Sequence, residues 1–225
     1  MVLLSFKRPQ NMDRIVRTCL AARFVGKVVV SNNNPEVDLR EWLTIESDRL
    51  QLIRQPRPTP PGSRLAIARE TGGQYFISID DDAFLAPGQL DRLYRALLAD
   101  PHAPHGFQGQ NWERSGGGEL GGAIRSEGRV DVLNRAYLFT EAQLAECERL
   151  GAALDLGPLD AIRNGEDILL SCSGSARPYV HDVGPVLECA TSNDAGIAVW
   201  RSIGFEAPRI ELYRRLRELK PLDPA

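Results

Sequence analysis

Short apolar blocks alternate along this chain with stretches whose apolar positions recur every three or four residues. Val2 to Phe6 is an apolar run of strand length. After the loop Lys7-Arg8-Pro9-Gln10-Asn11, the residues Met12, Ile15, Val16, Cys19 and Leu20 fall at helical spacing and form one apolar face. Gly26 is placed to end that helix. Lys27-Val28-Val29-Val30 is a β-branched strand signal. It is stopped by Ser31-Asn32-Asn33-Asn34-Pro35, whose asparagines compete for backbone hydrogen bonds. Leu50 to Ile53 predicts another strand, and the four prolines between Gln55 and Gly62 predict an irregular connection. Ser63 is a candidate cap for a helix reaching Glu70, which Gly72-Gly73 stops. Tyr75 to Ile79 reads as a buried strand and runs straight into Asp80-Asp81-Asp82. Leu90, Leu93, Tyr94, Leu97 and Leu98 then make the stripe of a helix.

The second half is less regular. His102 to Gly122 is rich in glycine, including Gly116-Gly117-Gly118 and Gly121-Gly122, and predicts a connection or a loop lining a substrate. Val130 to Phe139 reads as extended. Thr140-Glu141-Ala142-Gln143 has the form of a capping box before a helix to about Leu150. Asn164-Gly165-Glu166-Asp167 precedes a short helix at Ile168-Leu169-Leu170. Pro208 starts a last amphipathic helix with Ile210, Leu212, Tyr213, Leu216 and Leu219.

Strands alternating with helices predict an α/β fold with a mostly parallel central sheet flanked by helices. Ligands of such sheets sit beyond the carboxyl ends of the strands, which places Ser5 to Arg8, Ser31 to Asn34 and Asp80 to Asp82 along one edge. At 225 residues the expectation is a single domain, 1–225, with residues 1–100 binding the donor and 101–225 the acceptor.

Composition narrows the choice. A net charge of -3 gives no electrostatic case for nucleic-acid binding, so phosphate recognition has to be local. No apolar run reaches the roughly 18 residues of a membrane span, and the start reads as a strand rather than a signal peptide. Cys19, Cys147, Cys172 and Cys189 show no CxxC spacing and read as reduced thiols of a cytoplasmic protein. Arg214, Arg215, Arg217 and Lys220 make the last helix basic, a solvated face or a peripheral contact with an anionic surface.

The acidic triplet is the sharpest chemical signal. Three adjacent carboxylates after a buried strand repel one another, and a divalent cation removes that cost. Hard oxygen ligands suit Mn2+ or Mg2+, which keep positions open for phosphate oxygens. On an extended backbone Asp80 and Asp82 point one way and Asp81 the other, with Asp82 the first candidate for the metal. A solvated acidic turn is the competing reading; the strand before the triplet and the Pro-Gly and helix after it count against that.

The run Ser63-Arg64 through Tyr75-Phe76-Ile77-Ser78-Ile79-Asp80-Asp81-Asp82 resembles the DxD region of GT-A glycosyltransferases. More narrowly, the chain is similar to the exostosin-like family 64 domain over nearly its whole length. That likeness takes in Leu4 to Arg8, Asn32 to Asn34, Asn164 to Ile168 and Arg209-Ile210-Glu211-Leu212. The resemblance implies a UDP-sugar donor, a glycan or glycoconjugate acceptor and transfer of a hexose-type sugar. It implies that Ser5, Phe6, Arg8 and Asn32 hold uracil and ribose, and that Arg64, Asp80 and Asp81 serve the diphosphate. Asp82, Asp80 and a late histidine, His181, would be the metal set, and Arg209 would neutralise the departing diphosphate.

Asp167 is the main catalytic candidate, since a carboxylate near the anomeric carbon either deprotonates the acceptor or stabilises positive charge on the donor. Family 64 implies retention. The Glu-Asp pair also resembles the base motif of inverting family 2 enzymes, so both outcomes stay open. A nucleotidyltransferase or a nucleotide-sugar-binding module is the rival outside transfer chemistry. Animal family 64 members carry cysteines beside the Glu-Asp element and the late arginine; this chain has none at either place, so the corresponding disulfide cannot form.

Overall fold

The structure is a computed structural model and describes residues 1–113 and 118–221. Gly116 and Gly117 of the glycine-rich stretch lie outside the described residues. The central sheet contains β1 (Val2–Ser5), β2 (Val28–Asn32), β3 (Leu50–Arg54), β4 (Tyr75–Ile79), β5 (His105–Gly106), β6 (Gly128–Arg129), β7 (Ala136–Thr140) and β8 (Tyr179–Val180). Their order across the sheet is β6-β8-β5-β7-β4-β1-β2-β3. The strands β4, β1, β2 and β3 are parallel neighbours, β7 runs antiparallel to both β4 and β5, and β8 is parallel to β5. The expected mixed α/β architecture is thus present, with one sheet running through both halves of the chain.

The helices are α1 (Met12–Ala21), α2 (Ser63–Thr71), α3 (Pro87–Ala99), α4 (Glu141–Ala153), α5 (Glu166–Ser171) and α6 (Glu206–Leu219). Side chains alternate between the faces of a strand, and the core divides accordingly. Leu3, Val28, Val30, Ile77, Ile79 and Leu138 pack with α1 and α3. Val2, Leu4, Val29, Phe76, Tyr137 and Phe139 pack on the other face with α2, α4, α5 and α6.

Several boundaries depart from expectation. Ser31 and Asn32 belong to β2, fully paired with β3, although asparagine reads as a stop. α1 ends at Ala21, well before Gly26, because Ala22 turns extended with ψ 111°. Ser63 begins α2 rather than capping it; Gly62 takes the cap position, where a Cβ would lie 2.2 Å from the Leu159 carbonyl oxygen. Gly72 at φ 67° does stop α2. The capping box is formed: Gln143 N–H donates to Thr140 Oγ1 and Thr140 N–H to Gln143 Oε1.

Candidate active site

Because β1, β2 and β4 are adjacent and parallel, their carboxyl ends share one rim, as the sequence predicted. Asn33 N–H donates to the Ser5 carbonyl at 2.8 Å, and Phe6 N–H donates to Asp81 Oδ2 at 3.3 Å. The acidic triplet leaves the end of β4 there. Each carboxylate meets a different arginine. Arg64 Nη1 lies 2.7 Å from Asp80 Oδ1, Arg8 Nη1 2.8 Å from Asp81 Oδ1, and Arg135 Nε 3.2 Å from Asp82 Oδ1. Arg8 also reaches Asp82 at 3.6 Å, Ser192 Oγ donates to Asp82 Oδ2 at 3.0 Å, and Asn11 donates to the Asp81 carbonyl at 2.7 Å.

These pairs revise the reason for expecting a cation. The mutual repulsion of the triplet is offset by guanidinium groups already in the chain. Burial pushes the Asp80 and Asp81 carboxyls above the usual carboxylate range, against the pull of Arg64 and Arg8. Burial likewise works against the Arg64 charge, yet Asp80 and Glu166 together hold it above its ordinary range.

Three residues at the rim were not singled out from sequence. Arg135 interrupts the apolar run Val130 to Phe139 directly after Asn134, and that polar break was its signal. It donates to the Asp82 carbonyl as well as the carboxylate, its Nη1 pairs with Glu188 at 3.2 Å, and its N–H donates to the Tyr137 hydroxyl. Thr191, which accepts from Arg8 Nε at 3.0 Å, and Ser192 come from a loop with no distinguishing pattern.

A second charged cluster lies behind the first. Gly165, at φ 91°, turns the chain into α5 and sets Glu166 and Asp167 on its first turn. Arg209 of α6 grips Asp167 with both terminal nitrogens, at 2.8 and 2.6 Å, and both side chains are buried. Arg209 Nη1 also donates to Asn164 Oδ1 at 3.2 Å. Glu166 Oε1 stands 3.5 Å from Arg64 Nε, so Arg64 spans the two clusters.

The other predicted residues are placed as follows. Ser5 is buried under the rim and Phe6 is partly exposed on it. The Asn32 side chain is spent on its own loop, donating to the Val37 carbonyl at 2.6 Å and accepting from Asn34 N–H. His181 is not brought to the triplet. Its ring stacks on His105 at 5.1 Å, with Nε2 2.8 Å from His105 Nδ1.

Among the described residues no group of three or more His, Cys, Asp or Glu side chains could hold a metal ion, so the set Asp80, Asp82 and His181 is not assembled. Asp80 and Asp82 still offer the hard oxygens a divalent ion takes when phosphate oxygens complete its shell. Asp80 Oδ1 is held by Arg64 Nη1 at 2.7 Å, so an ion there would share the carboxylate with that guanidinium. The residues therefore fit an ion shared with a diphosphate, not one caged by protein alone. A cavity of about 320 Å³ between α1 and the start of α3 contains none of these carboxylates.

The fold is that of solved GT-A glycosyltransferases. The chain is similar to GalNAc-T7, solved with UDP, GalNAc and Mn2+, at 13% identity and a TM-score of 0.59, over 96% of this chain and 47% of that one. It is also similar to residues 1–349 of TarS from S. aureus, at 14% identity and a TM-score of 0.52, over 96% of this chain and 69% of that one. The same TarS fragment in complex with UDP gives 14% identity and a TM-score of 0.50, over 82% and 58%. The chain thus spans about half the length of GalNAc-T7. No curated protein matches it in sequence. The family model "Glycosyl transferase family 2" matches residues 2–119, just over half of the chain, from β1 through the acidic rim and α3. The protein belongs to glycosyltransferase family 2.

Proposed function

We propose that this protein transfers a hexose-type sugar from a UDP-sugar to a carbohydrate acceptor with inversion at the anomeric carbon. The observation that carries the reading is the acidic rim at the end of β4, with Arg8, Arg64 and Arg135 each on one carboxylate, in a chain of family 2. Retention rested on the family 64 resemblance; the family match moves support to the inverting alternative. GalNAc-T7 with UDP, GalNAc and Mn2+, and TarS with UDP, support a uridine nucleotide as donor.

In this reading Ser5, Phe6, Arg8 and Asn32 border the uracil and ribose. Arg8 and Arg135 place positive charge where the diphosphate departs, the preorganised stabilisation that lowers such barriers. Mn2+ or Mg2+ on Asp82, with Asp80 beside it, would add Lewis-acid charge to the same leaving group. One carboxylate of the Glu166 and Asp167 pair takes the acceptor proton. The four buried free thiols suit the cytoplasm, and no helix among the described residues is long and apolar enough to cross a membrane.

The test is a panel of nucleotide sugars with and without MnCl2, offered with simple glycosides as acceptors and read by NMR. A glycoside product of inverted configuration supports the proposal. A retained configuration overturns the inverting step. Release of pyrophosphate from a nucleoside triphosphate and sugar phosphate would point to the nucleotidyltransferase rival. UDP binding without any turnover would point to a binding module.

A further inference from the structure

We infer that the acceptor is a glycoside with an apolar aglycone, and that the segment from Val199 to Ile203 holds this aglycone beside the acidic rim. The inference rests on the transferase reading above and names the acceptor class for the same site. Among the described residues, Val199, Trp200 and Ile203 are the three most exposed large apolar side chains, and Ile203 is fully exposed. Single exposed apolar residues are ordinary, whereas a cluster of them marks a surface made for contact. The segment gives them no inner face to fold onto. It is a run of tight turns, in which Arg201 N–H donates to the Ala198 carbonyl, Ser202 N–H to that of Val199 and Phe205 N–H to that of Ser202.

These turns are tied to the rim. Trp200 Nε1–H donates to the Ser192 carbonyl at 3.1 Å, and Ser192 Oγ donates in turn to Asp82 Oδ2 at 3.0 Å. Arg201 Nη1 donates to the Asn193 carbonyl at 2.7 Å. Thr191, just before them, accepts from Arg8 at Oγ1, at 3.0 Å, and at its carbonyl, at 3.1 Å. The exposed side chains are thus built onto the same loop that touches the carboxylate of the proposed diphosphate site. A molecule that receives a sugar from that diphosphate has to lie against this edge.

The chemistry of the cluster selects what it holds. Val199 and Ile203 have no polar side-chain atom, and the one polar atom of Trp200 is spent on Ser192. A sugar hydroxyl set against them would lose its hydration without gaining a partner. An alkyl or aryl group carries no such penalty and gains with every methylene taken from water. The sugar of the acceptor therefore belongs to the charged rim, and its apolar aglycone to the turns at 199–203.

Initial rates test this with UDP-glucose, UDP-galactose and their N-acetylhexosamine counterparts as donors. Methyl and octyl glycosides of one sugar serve as acceptors, below the micelle concentration. The expected KM for the octyl acceptor is lower by about tenfold or more, with kcat little changed. In the double variant Val199→Ser, Ile203→Ser the two KM values converge, while Ile203→Leu keeps them apart. Trp200 is left in place, so the tie to Ser192 stays. Equal KM values in the wild type overturn the inference, and so does a difference that survives in the double variant. A wild-type dimer that the double variant turns into a monomer overturns it in favour of a second copy of this chain. Sedimentation with phosphatidylcholine vesicles that the double variant loses, with equal KM values, overturns it in favour of a lipid surface. A wild type that turns over no donor with either acceptor overturns the transferase reading, and this one with it.

Discussion

Arg135 sits at φ 68°, in the left-handed region that side chains rarely adopt, and from there donates Nε–H to Asp82 Oδ1 at 3.2 Å. A strained non-glycine residue of this kind persists where its surroundings hold it, commonly at functional sites. Here the holding contacts are the Asp82 carbonyl, Glu188 and the Tyr137 hydroxyl. Arg135 and a divalent ion would draw on the same carboxylate. Arg135→Ala removes the competing charge and should raise Mn2+ affinity, measured by calorimetry without nucleotide, on the order of tenfold or ~1.4 kcal/mol. Unchanged affinity would mean that the ion and the guanidinium do not compete.

Asp82 itself is the residue whose loss should matter most to the nucleotide. Asp82→Ala is expected to abolish the part of UDP binding that depends on Mn2+, leaving a weaker metal-independent part carried by Arg8 and Arg135. Titration of UDP with and without MnCl2 reads this directly, and a full metal effect in the variant would remove Asp82 from the ion's shell.

The Asp167 and Arg209 pair predicts a stability cycle. Breaking a buried ion pair from one side leaves an uncompensated charge and costs about 3–5 kcal/mol, whereas replacing both partners with apolar groups costs far less. Arg209→Met and Asp167→Leu should each lower the denaturation midpoint strongly, and the double variant should recover most of the loss. Additive losses in the double variant would show that the pair is not coupled as its geometry implies.

Gly62 is required by space rather than by backbone angle, since its φ is an ordinary -58°. A Cβ there would fall 2.8 Å from Ile162 Cβ as well as 2.2 Å from the Leu159 oxygen. Gly62→Ala should therefore cost about 1–3 kcal/mol, as overpacking does. That would lower Tm by about 2–4 °C per kcal/mol for a chain of this size. A variant as stable as the wild type would mean that residues 159–162 yield freely.

The His105 and His181 stack predicts a pH dependence away from the rim. Burial first, then His105, Arg92 and Arg129, lowers His181 to about 4; burial also lowers His105. Both rings are held neutral in the fold, while an unfolded histidine titrates near its ordinary value of 6.5. The unfolded chain thus takes up protons first as pH falls. The stability contribution is complete above pH 6.5 and is lost toward pH 4. Urea midpoints should drop across this window, and His181→Gln should flatten the slope. An equal slope in the variant would assign the acid sensitivity elsewhere.

Local pattern made much of this fold legible. Tyr75 to Ile79 and the α1 stripe needed only periodicity, and the rim followed from the rule that parallel strands share a carboxyl edge. Ser31 and Asn32 were misjudged because their strand pairing with β3 overrides the loop tendency of asparagine. Ser63 reads locally as a cap, but the close approach of Leu159 hands that position to glycine. The partners of the triplet were the least legible part. Arg8 is 73 positions from Asp81 and Arg135 is 53 from Asp82, distances over which one sequence carries no pairing signal. Arg209, which holds Asp167, is likewise 42 positions away from it.

The antiparallel strand β7 returns the chain to the end of β4, where Asp80 N–H donates to the Arg135 carbonyl at 2.8 Å. During vectorial synthesis the acidic rim therefore leaves the ribosome with Arg8 and Arg64 already made, while Asp82 waits for residues 135 and 192. A nascent chain ending before β7 has only Arg8, at 3.6 Å, to offset that charge. The reversed strand thus completes the charge pairing that the amino-terminal half begins.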